Sequence, residues 1–226
     1  MSAPRRFIRG ESPTHRWWSD ESDSGSDESW IQWFCRQRGN EFFCEVDPNY
    51  IEDPFNLTGL SSCVPHYVHA IDCILDCASQ SIDGFDDDSA AEIDEAARLL
   101  YGLIHARYIL TNAGLAAMKS KFEAGDFGYC LCYSCNNHAL LPVGTCDAVG
   151  KDAVKLYCAS CQDIYRPKQS RYKMIDGAFF TTTFPHLFYL QYPHFRPTYE
   201  LPVYVPKVFG FRVRFPAQDQ ESVERF

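Results

Sequence analysis

The chain has 226 residues, of which 46% are hydrophobic, so it can form one large domain or two small ones around a buried core. No apolar run approaches the length of a membrane span, and residues 1–30 lack the apolar stretch of a signal peptide, so we expect neither a membrane protein nor a secreted one. The net charge is −9, and only residues 151–226 carry a basic excess (11 basic, 7 acidic), which argues against a general nucleic-acid binder because such a protein needs a broad cationic face.

The N-terminal segment, residues 1–29, is predicted to be a disordered acidic and serine-rich tail. Its last eleven residues are only Ser, Asp, Glu and Gly, so there is nothing apolar to bury. A solvated tail is the simplest interpretation. The functional alternative is phosphorylation by an acid-directed kinase, because Ser24 has Asp27 three residues on and Ser26 precedes that same aspartate directly.

Residues 30–125 show helical periodicity and predict a mostly helical segment. A short apolar helix begins at Trp30, and Asp47 and Asp53, each followed by a proline, mark two further short helices or turns. Another helix opens at Pro65. Its predicted apolar face consists of Val64, Val68, Ile71, Ile74 and Leu75.

An acidic loop is predicted over residues 76–95. The stretch from 72 to 97 contains nine acidic residues and no lysine or arginine. The centre of the loop is formed by Asp83, Asp86, Asp87 and Asp88. A solvated loop is the default interpretation, and a docking site for polycations is the functional alternative.

A long helix is predicted after this loop, since Ser89 with Glu92 three residues on is a capping-box signature. Asn112 is the expected cap of the next helix, which ends at Gly125. His105 lies inside the apolar stretch. We expect it to be packed and hydrogen-bonded rather than catalytic, because no nucleophile or acid partner is spaced beside it.

From residue 126 onward β-branched and aromatic residues replace the helical pattern, and a cysteine constellation begins. Cys130 and Cys135 are separated by four residues, Cys158 and Cys161 by two, and the two pairs by 22. Two such turns can close a tetrahedral sulfur cage around zinc, and four protein ligands leave no position for water, so the site would be structural. An odd total of eleven cysteines fits metal ligation plus reduced thiols better than a disulfide framework.

The spacing leaves one ligand open. Cys132 lies three residues before Cys135, so a pair formed by these two is at least as good as a pair that uses Cys130. For Cys158 and Cys161 the alternative is a redox pair, although the strand–helix context of thioredoxin-like proteins is missing.

The residues around the cage favour a protein–protein face over a nucleic-acid site. The basic set in residues 151–173 is modest and is interrupted by Asp152 and Asp163. The apolar residues of this region are Leu131, Tyr133, Val154, Leu156 and Ile164. A small zinc ribbon exposes one face of its sheet, and self-association would cover that face.

The C-terminal segment alternates apolar residues with others in the manner of a strand. The apolar positions are Val203, Val205, Phe209, Phe211, Val213 and Phe215. One interpretation is an ordinary core strand. The other is an extended segment that adds to a partner's sheet.

Several long motifs, in order, resemble the regulatory beta subunit family of casein kinase II. They occupy residues 30–45, 55–60, 64–67, 100–111, 125–130 and 154–158, and the resemblance spans about residues 29–215. The extra cysteines and the residues near Leu131 depart from the family pattern, so the chain resembles a divergent paralogue.

The resemblance implies an α+β fold in four parts. These are the tail 1–29, the helical body 30–125, a β-rich zinc-ribbon dimerisation domain 126–195 and an extended kinase-docking segment 196–226. It also implies the ligand set, one zinc ion per chain held by Cys130, Cys135, Cys158 and Cys161, with Cys132 as an extra cysteine.

The function implied is that of a non-catalytic regulatory subunit acting in the cytoplasm and nucleus. A homodimer would bind two catalytic alpha subunits in a 2+2 heterotetramer and direct substrate choice. Docking is assigned to Val205, Val208, Phe209 and Phe211, and the dimer face to Leu131, Tyr133 and Ile164. The acidic loop would bind polyamines or basic substrates, and Ser24 and Ser26 would be phosphorylated.

Three other functions remain open at this stage: a dimer that no longer engages the kinase, an enzyme, and a zinc-ribbon nucleic-acid binder. The second is disfavoured, since no glycine-rich phosphate loop or kinase catalytic motif occurs.

Overall fold

The computed structural model describes residues 28–77, 87–197 and 206–213, with only the backbone of residue 87. The α-helices of this part of the chain are Trp30–Arg36 (α1), Pro48–Glu52 (α2), Tyr67–Ile74 (α3), Asp87–Tyr108 (α4), Asn112–Ala124 (α5) and Phe184–Gln191 (α6). Its β-strands are Leu141–Val143 (β1), Lys155–Cys158 (β2), Asp163–Tyr165 (β3), Lys207–Val208 (β4) and Phe211–Arg212 (β5). Among the helices described, none combines the length and apolarity that a membrane span requires.

Polar caps set the ends of the helices in the N-terminal body. Ser29 caps α1 and Asp47 caps α2, each accepting a hydrogen bond from a nearby backbone N–H of the first turn. Helix α5 is capped by Thr111, so the predicted cap at Asn112 is wrong by one residue. The helix ends at Gly125, as predicted, because this residue adopts the left-handed conformation with φ +79°.

Helix α4 begins earlier than predicted. It starts at Asp87, so Asp87 and Asp88 belong to its first turn, and the acidic loop does not extend to residue 95. Ser89 lies inside the helix, so the predicted capping box with Glu92 is wrong. Aspartates in a first turn favour the earlier start because they lie at the positive end of the helix dipole.

Helices α3 and α4 pack against each other over the aromatic centre of the core. The rings of Trp30, Phe34 and Tyr101 contact one another with centroids 4.8 to 5.6 Å apart. Ile74 is fully buried, as predicted, but Val68 is 66% exposed and does not belong to the inner face of α3. The inner face is built around positions 70, 73 and 74, and Val68 lies on the opposite side of the helix.

His105 is a packed core histidine, as predicted. Its ring is fully buried, and burial lowers its pKa to about 4. Nε2 accepts a hydrogen bond from the Cys44 N–H at 3.2 Å, so Nδ1 carries the proton and donates to the Phe179 carbonyl at 2.9 Å. The neutral imidazole thereby joins α4 to two segments that are distant from it in sequence.

The β-rich part contains a three-stranded antiparallel sheet in the order β1-β2-β3. Leu141 pairs with Tyr157, which pairs in turn with Ile164 on the outer strand. Together with the helical body, this sheet confirms the predicted α+β class.

Aromatic contacts join the helical body to the β-rich part. Phe42 stacks on Tyr172 with ring centroids 4.1 Å apart, and Phe122 of α5 meets Phe188 of α6 at 5.2 Å. Buried residues from both parts form one hydrophobic cluster. The predicted boundary at residue 125 therefore marks a change in local structure rather than a gap in the core.

The C-terminal segment is a hairpin where the sequence predicts a single extended strand. Strands β4 and β5 pair antiparallel, with Val208 opposite Phe211. Phe209 and Gly210 form the turn, with φ of +50° and +86°. Two successive residues with positive φ define a tight hairpin turn, which alternation of apolar residues cannot reveal.

Candidate metal centre and docking surfaces

Four cysteine sulfurs converge where two turns meet. The Sγ atom of Cys130 lies 3.8 Å from that of Cys161, and the Sγ atom of Cys135 lies 3.9 Å from that of Cys158. All four sulfurs are within 4.8 Å of one another. A tetrahedron with Zn–S bonds of about 2.3 Å has sulfur–sulfur edges of about 3.8 Å, so the donor set and its spacing are compatible with one structural zinc ion.

The backbone of the two turns explains why the sulfurs converge. Each turn places a left-handed residue directly after its second cysteine, Asn136 with φ +48° and Gln162 with φ +58°. These residues reverse the chain, so the second cysteine of a pair can face the first. The Cys130 N–H closes the first turn by donating to the His138 carbonyl at 2.8 Å.

The structure places Cys130 in the cluster and leaves Cys132 beside it. Spacing alone cannot distinguish the two, but only Cys130 has a sulfur within reach of the other three. The arrangement matches the ligand set that the family resemblance implies. The Cys132 backbone N–H donates to the Cys130 sulfur at 3.4 Å, so Cys132 supports a candidate ligand.

Burial opposes ionisation of two of the four thiols, those of Cys135 and Cys158. It raises the pKa of Cys135 to about 12 and also raises the pKa of Cys158. Burial opposes ionisation of Cys161 too, but hydrogen bonds with the Tyr165 hydroxyl and the neighbouring thiols lower the pKa of Cys161 overall. Four thiolates this close together would therefore require a cation among them.

Two polar contacts of the cluster were not predicted from the sequence. The Tyr165 hydroxyl lies 3.1 Å from the Cys161 sulfur, and the buried Ser160 side chain hydrogen-bonds Cys135. Tyr165 follows Cys161 by four residues, across the turn between β2 and β3. The register of the β2–β3 hairpin, which pairs Cys158 with Asp163, is needed to show that the Tyr165 hydroxyl lies near the Cys161 sulfur.

The residues predicted for a dimer face are exposed beside the cluster. Leu131 is 67% exposed and Tyr133 is fully exposed in the first turn, and Ile164 is 47% exposed on β3. Val154 and Leu156, which the sequence analysis grouped with them, are buried and belong to the core. Three large, exposed apolar side chains near the two cysteine-bearing turns are typical of an interaction surface.

The hairpin presents its apolar side chains to solvent. Phe209 is 95% exposed and Phe211 is 79% exposed, and Val208 beside them is more than half exposed. The interpretation as a core strand is therefore wrong. Unpartnered aromatic side chains on a short hairpin are typical of a segment that docks into another protein.

The remaining predicted residues lie partly or wholly outside what the structure describes. Ser24, Ser26, Asp83, Asp86 and Val205 lie outside the described residues. Asp87 is described by its backbone alone, and Asp88 is exposed in the first turn of α4.

Comparison with known proteins gives a consistent result. A family model described as casein kinase II regulatory subunit matches residues 29–212. The chain is 51% identical over 204 residues to "Putative casein kinase II subunit beta-4" of Arabidopsis thaliana, covering 90% of this chain and 72% of that protein. It is 47% identical over 205 residues to "Casein kinase II subunit beta" of Dictyostelium discoideum, covering 90% and 76%. It is 48% identical over 189 residues to "Casein kinase II subunit beta'" of Drosophila melanogaster, covering 83% and 85%.

Proposed function

This chain belongs to the casein kinase II regulatory subunit family, and we propose that it works as a zinc-containing homodimer that binds two catalytic alpha subunits. The assembly would be a 2+2 heterotetramer in which this chain contributes no catalytic group. Its roles would be to stabilise the catalytic subunits and to direct their choice of substrate. The observation that carries the proposal is the exposed hairpin at residues 207–212, which presents two aromatic side chains that the body of the chain leaves uncovered.

The metal centre supports the dimer in this proposal. Cys130, Cys135, Cys158 and Cys161 would hold zinc, which supplies a structural cross-link with no open coordination position. By fixing both turns, the four cysteines hold Leu131 and Tyr133 at the surface beside strand β3. Two copies would bury these side chains against each other, and burial of apolar area is the main favourable term in such an association.

The hairpin supplies the contact with the kinase. Its two strands pair with each other, so each keeps an outer edge whose backbone groups can pair with a partner's sheet. Phe209 and Phe211 would be the anchors, with Val208 beside them. Two copies in one dimer would present two such hairpins, so one dimer can hold two catalytic subunits.

Removal of both aromatic anchors tests the docking role. Because truncation of a buried aromatic anchor weakens binding by about 2–4 kcal/mol, Phe209→Ala combined with Phe211→Ala should abolish most capture of the alpha subunit. Zinc content and the dimer should be unchanged. Surface-immobilised alpha subunit and analytical ultracentrifugation measure the two properties separately.

Phe55→Ala is the matched control, since Phe55 is 84% exposed but lies in the helical body. This variant should bind like the wild type. Wild-type capture by the double variant would refute the docking assignment. If the unmodified chain formed a dimer but failed to bind the alpha subunit, the chain would instead be a dimer that no longer engages the kinase.

The acidic segment and the N-terminal serines have regulatory roles in this proposal. Polyamines or basic substrates would bind the acidic segment, of which Asp88 is exposed in the described part of the chain. Ser24 and Ser26 would be phosphorylated within the complex. The proposed compartments are the cytoplasm and the nucleus.

A further inference from the structure

A fifth sulfur lies against the four-cysteine cluster. Cys132 is half-buried and packs against the core, with its backbone N–H on the Cys130 sulfur at 3.4 Å. Its carbonyl accepts a hydrogen bond from the Cys135 N–H at 3.0 Å. Cys132 is therefore linked to two of the four candidate ligands while remaining outside the set that can hold one ion.

The backbone between Cys132 and Cys135 suits a disulfide. Cys132 precedes the short 3₁₀ turn Tyr133–Cys135, and the Cys135 N–H donates to the Cys132 carbonyl at 3.0 Å. In a 3₁₀ turn, side chains three residues apart eclipse one another, and the rise between them is about 6 Å. That separation lies within the Cα–Cα range of disulfides, so the bond can form without unfolding the turn.

We propose that Cys132 is a resolving thiol that makes the metal centre sensitive to peroxide. The Cys135 thiolate attacks one oxygen of hydrogen peroxide, so an S–O bond forms and the O–O bond breaks. The other oxygen departs as hydroxide, and Cys135 becomes a sulfenic acid. The Cys132 thiol then attacks that sulfur, an S–S bond forms, and the sulfenic oxygen leaves as water with the thiol proton. Each cysteine sulfur loses one electron overall, and the peroxide oxygens accept both.

Cys132 is better placed for this role than the other neighbours of Cys135. Cys158 lies 3.9 Å away, but its sulfur would be committed to the metal, as would those of Cys130 and Cys161. Cys132 alone of these five keeps a free thiol when the site is filled. This step rests on the proposed zinc centre, and it removes one of the four ligands.

Loss of that ligand opens the cage. The metal would be released, and the turn that carries Leu131 and Tyr133 would lose its anchor. A disulfide between Cys132 and Cys135 can be reduced by thiols, whereas further oxidation of an unresolved sulfenic acid is irreversible. Cys132 would therefore make the response of the proposed dimer to peroxide reversible.

The test compares the full-length wild type with Cys132→Ala, both purified with zinc under reducing conditions. Hydrogen peroxide is added, and a chromogenic chelator reports zinc release. Because an internal resolving thiol replaces an encounter between separate molecules, zinc release should be about tenfold faster in the wild type than in the variant. Dithiothreitol with added zinc should restore the metal in the wild type only.

Cys146→Ala is the matched control: Cys146 is also half-buried and lies outside the cluster, so this variant should behave like the wild type.

Peptide mapping identifies the bond. Cleavage after Tyr133 places Cys132 and Cys135 on separate peptides, which stay joined only if these two form the disulfide. Equal rates of zinc release in the wild type and Cys132→Ala, or a first disulfide that excludes Cys132, would overturn the proposal. The zinc content before peroxide separates the two claims, because a zinc-free wild type would contradict the metal centre itself, whereas loaded protein with release independent of Cys132 would contradict only this inference.

Discussion

Two backbone groups in the core depend on the imidazole of His105. The ring accepts from the Cys44 N–H and donates to the Phe179 carbonyl, an arrangement that only the neutral form allows. Protonation would place a second N–H against the Cys44 N–H inside a fully buried site. The low pKa of this histidine is thus the result of burial, with the Cys44 contact adding a further reason for neutrality.

Stability should depend on this histidine at acid pH. The pKa of His105 falls from 6.5 in the unfolded chain to about 4 in the fold, so the unfolded chain binds more protons between these values. The stabilisation is complete above pH 6.5 and is lost as pH falls through the folded pKa, reaching a loss of about 3 kcal/mol by about pH 4. Urea unfolding of the wild type and of His105→Gln at several pH values, in zinc-containing buffer, measures this loss of unfolding free energy.

The variant isolates the histidine from other acid effects. Glutamine offers one donor and one acceptor but does not titrate, so the difference in unfolding free energy between wild type and variant should shrink as pH falls. Protonation of carboxylates and of metal ligands affects both proteins alike. A difference that stays constant from neutral to acid pH would contradict the assigned role of His105.

At the scale of single residues, cysteine spacing predicts that four sulfurs lie together, but it does not decide which cysteines supply them. Two cysteine pairs 22 residues apart, one with four intervening residues and one with two, indicate a four-sulfur site, and the structure brings those sulfurs together. Spacing could not separate Cys130 from Cys132, because the choice depends on which sulfur the turn directs inward. Tyr165 could not be predicted either, since its contact with Cys161 depends on the register of the β2–β3 hairpin.

Among the secondary-structure elements, the C-terminal hairpin departs most from its sequence pattern. Alternating apolar residues predict an extended strand, but Phe209 and Gly210 turn the chain back on itself. The alternation of apolar residues predicts that Phe209 and Phe211 lie on one face. It does not predict the turn, because a tight turn needs two residues with positive φ and only Gly210 favours that conformation. Phe209 adopts the same region at an energetic disadvantage of about 1–2 kcal/mol for a residue with a β-carbon.

The turn at Gly210 should therefore matter for docking even though it carries no side chain. A β-carbon at this position meets no atom of the described residues within 4 Å, so we expect backbone strain at φ +86° to be the main effect of Gly210→Val. That strain of about 1–2 kcal/mol should weaken capture of the alpha subunit about tenfold, with Phe209 and Phe211 still present. Surface-immobilised alpha subunit measures the affinity.

Lys207→Ala is the control for this experiment, since Lys207 is exposed on strand β4 and its change leaves the turn intact. It should bind nearly as well as the wild type. If Gly210→Val bound equally well, the segment would dock in an extended form and the hairpin would not be the binding conformation.

Helix α4 shows a second limit of predicting secondary-structure elements from sequence patterns. Its apolar positions predict the helix correctly, but its start at Asp87 lies upstream of the capping box that the sequence suggests. A capping motif can occur inside a helix whenever serine and glutamate fall three residues apart. The start was missed because aspartates near the positive end of the helix dipole extend the helix without a change in the apolar pattern.

At the scale of the whole molecule, the helical body and the part that carries the four-cysteine cluster share one hydrophobic core. The change of residue pattern at 125 coincides with the end of helix α5, but it does not reveal helix α6, which follows the three-stranded sheet. It does not show that Phe122 and Phe188 meet across that boundary, or that the buried cysteines join the same cluster as Trp30. Contacts of this kind depend on how the elements pack, and local sequence patterns do not contain that information.

The proposed assembly follows from this shared core. With zinc bound, the four sulfurs would fix two turns and so hold Leu131 and Tyr133 at the surface, while the hairpin exposes Phe209 and Phe211. Loss of the metal should therefore first affect the dimer face. As a consequence, two hairpins would no longer be held together in one dimer, even though none of the hairpin residues contributes to the cluster.

Mass measurement of the intact complex with catalytic alpha subunits, before and after a zinc chelator, tests this account most directly. We expect one zinc ion per chain and a particle with two copies of this chain and two alpha subunits. The chelator should remove the metal and dissociate the particle into species with a single copy of this chain. A well-ordered chain that contains no metal, or a 2+2 particle that survives complete removal of zinc, would contradict the account.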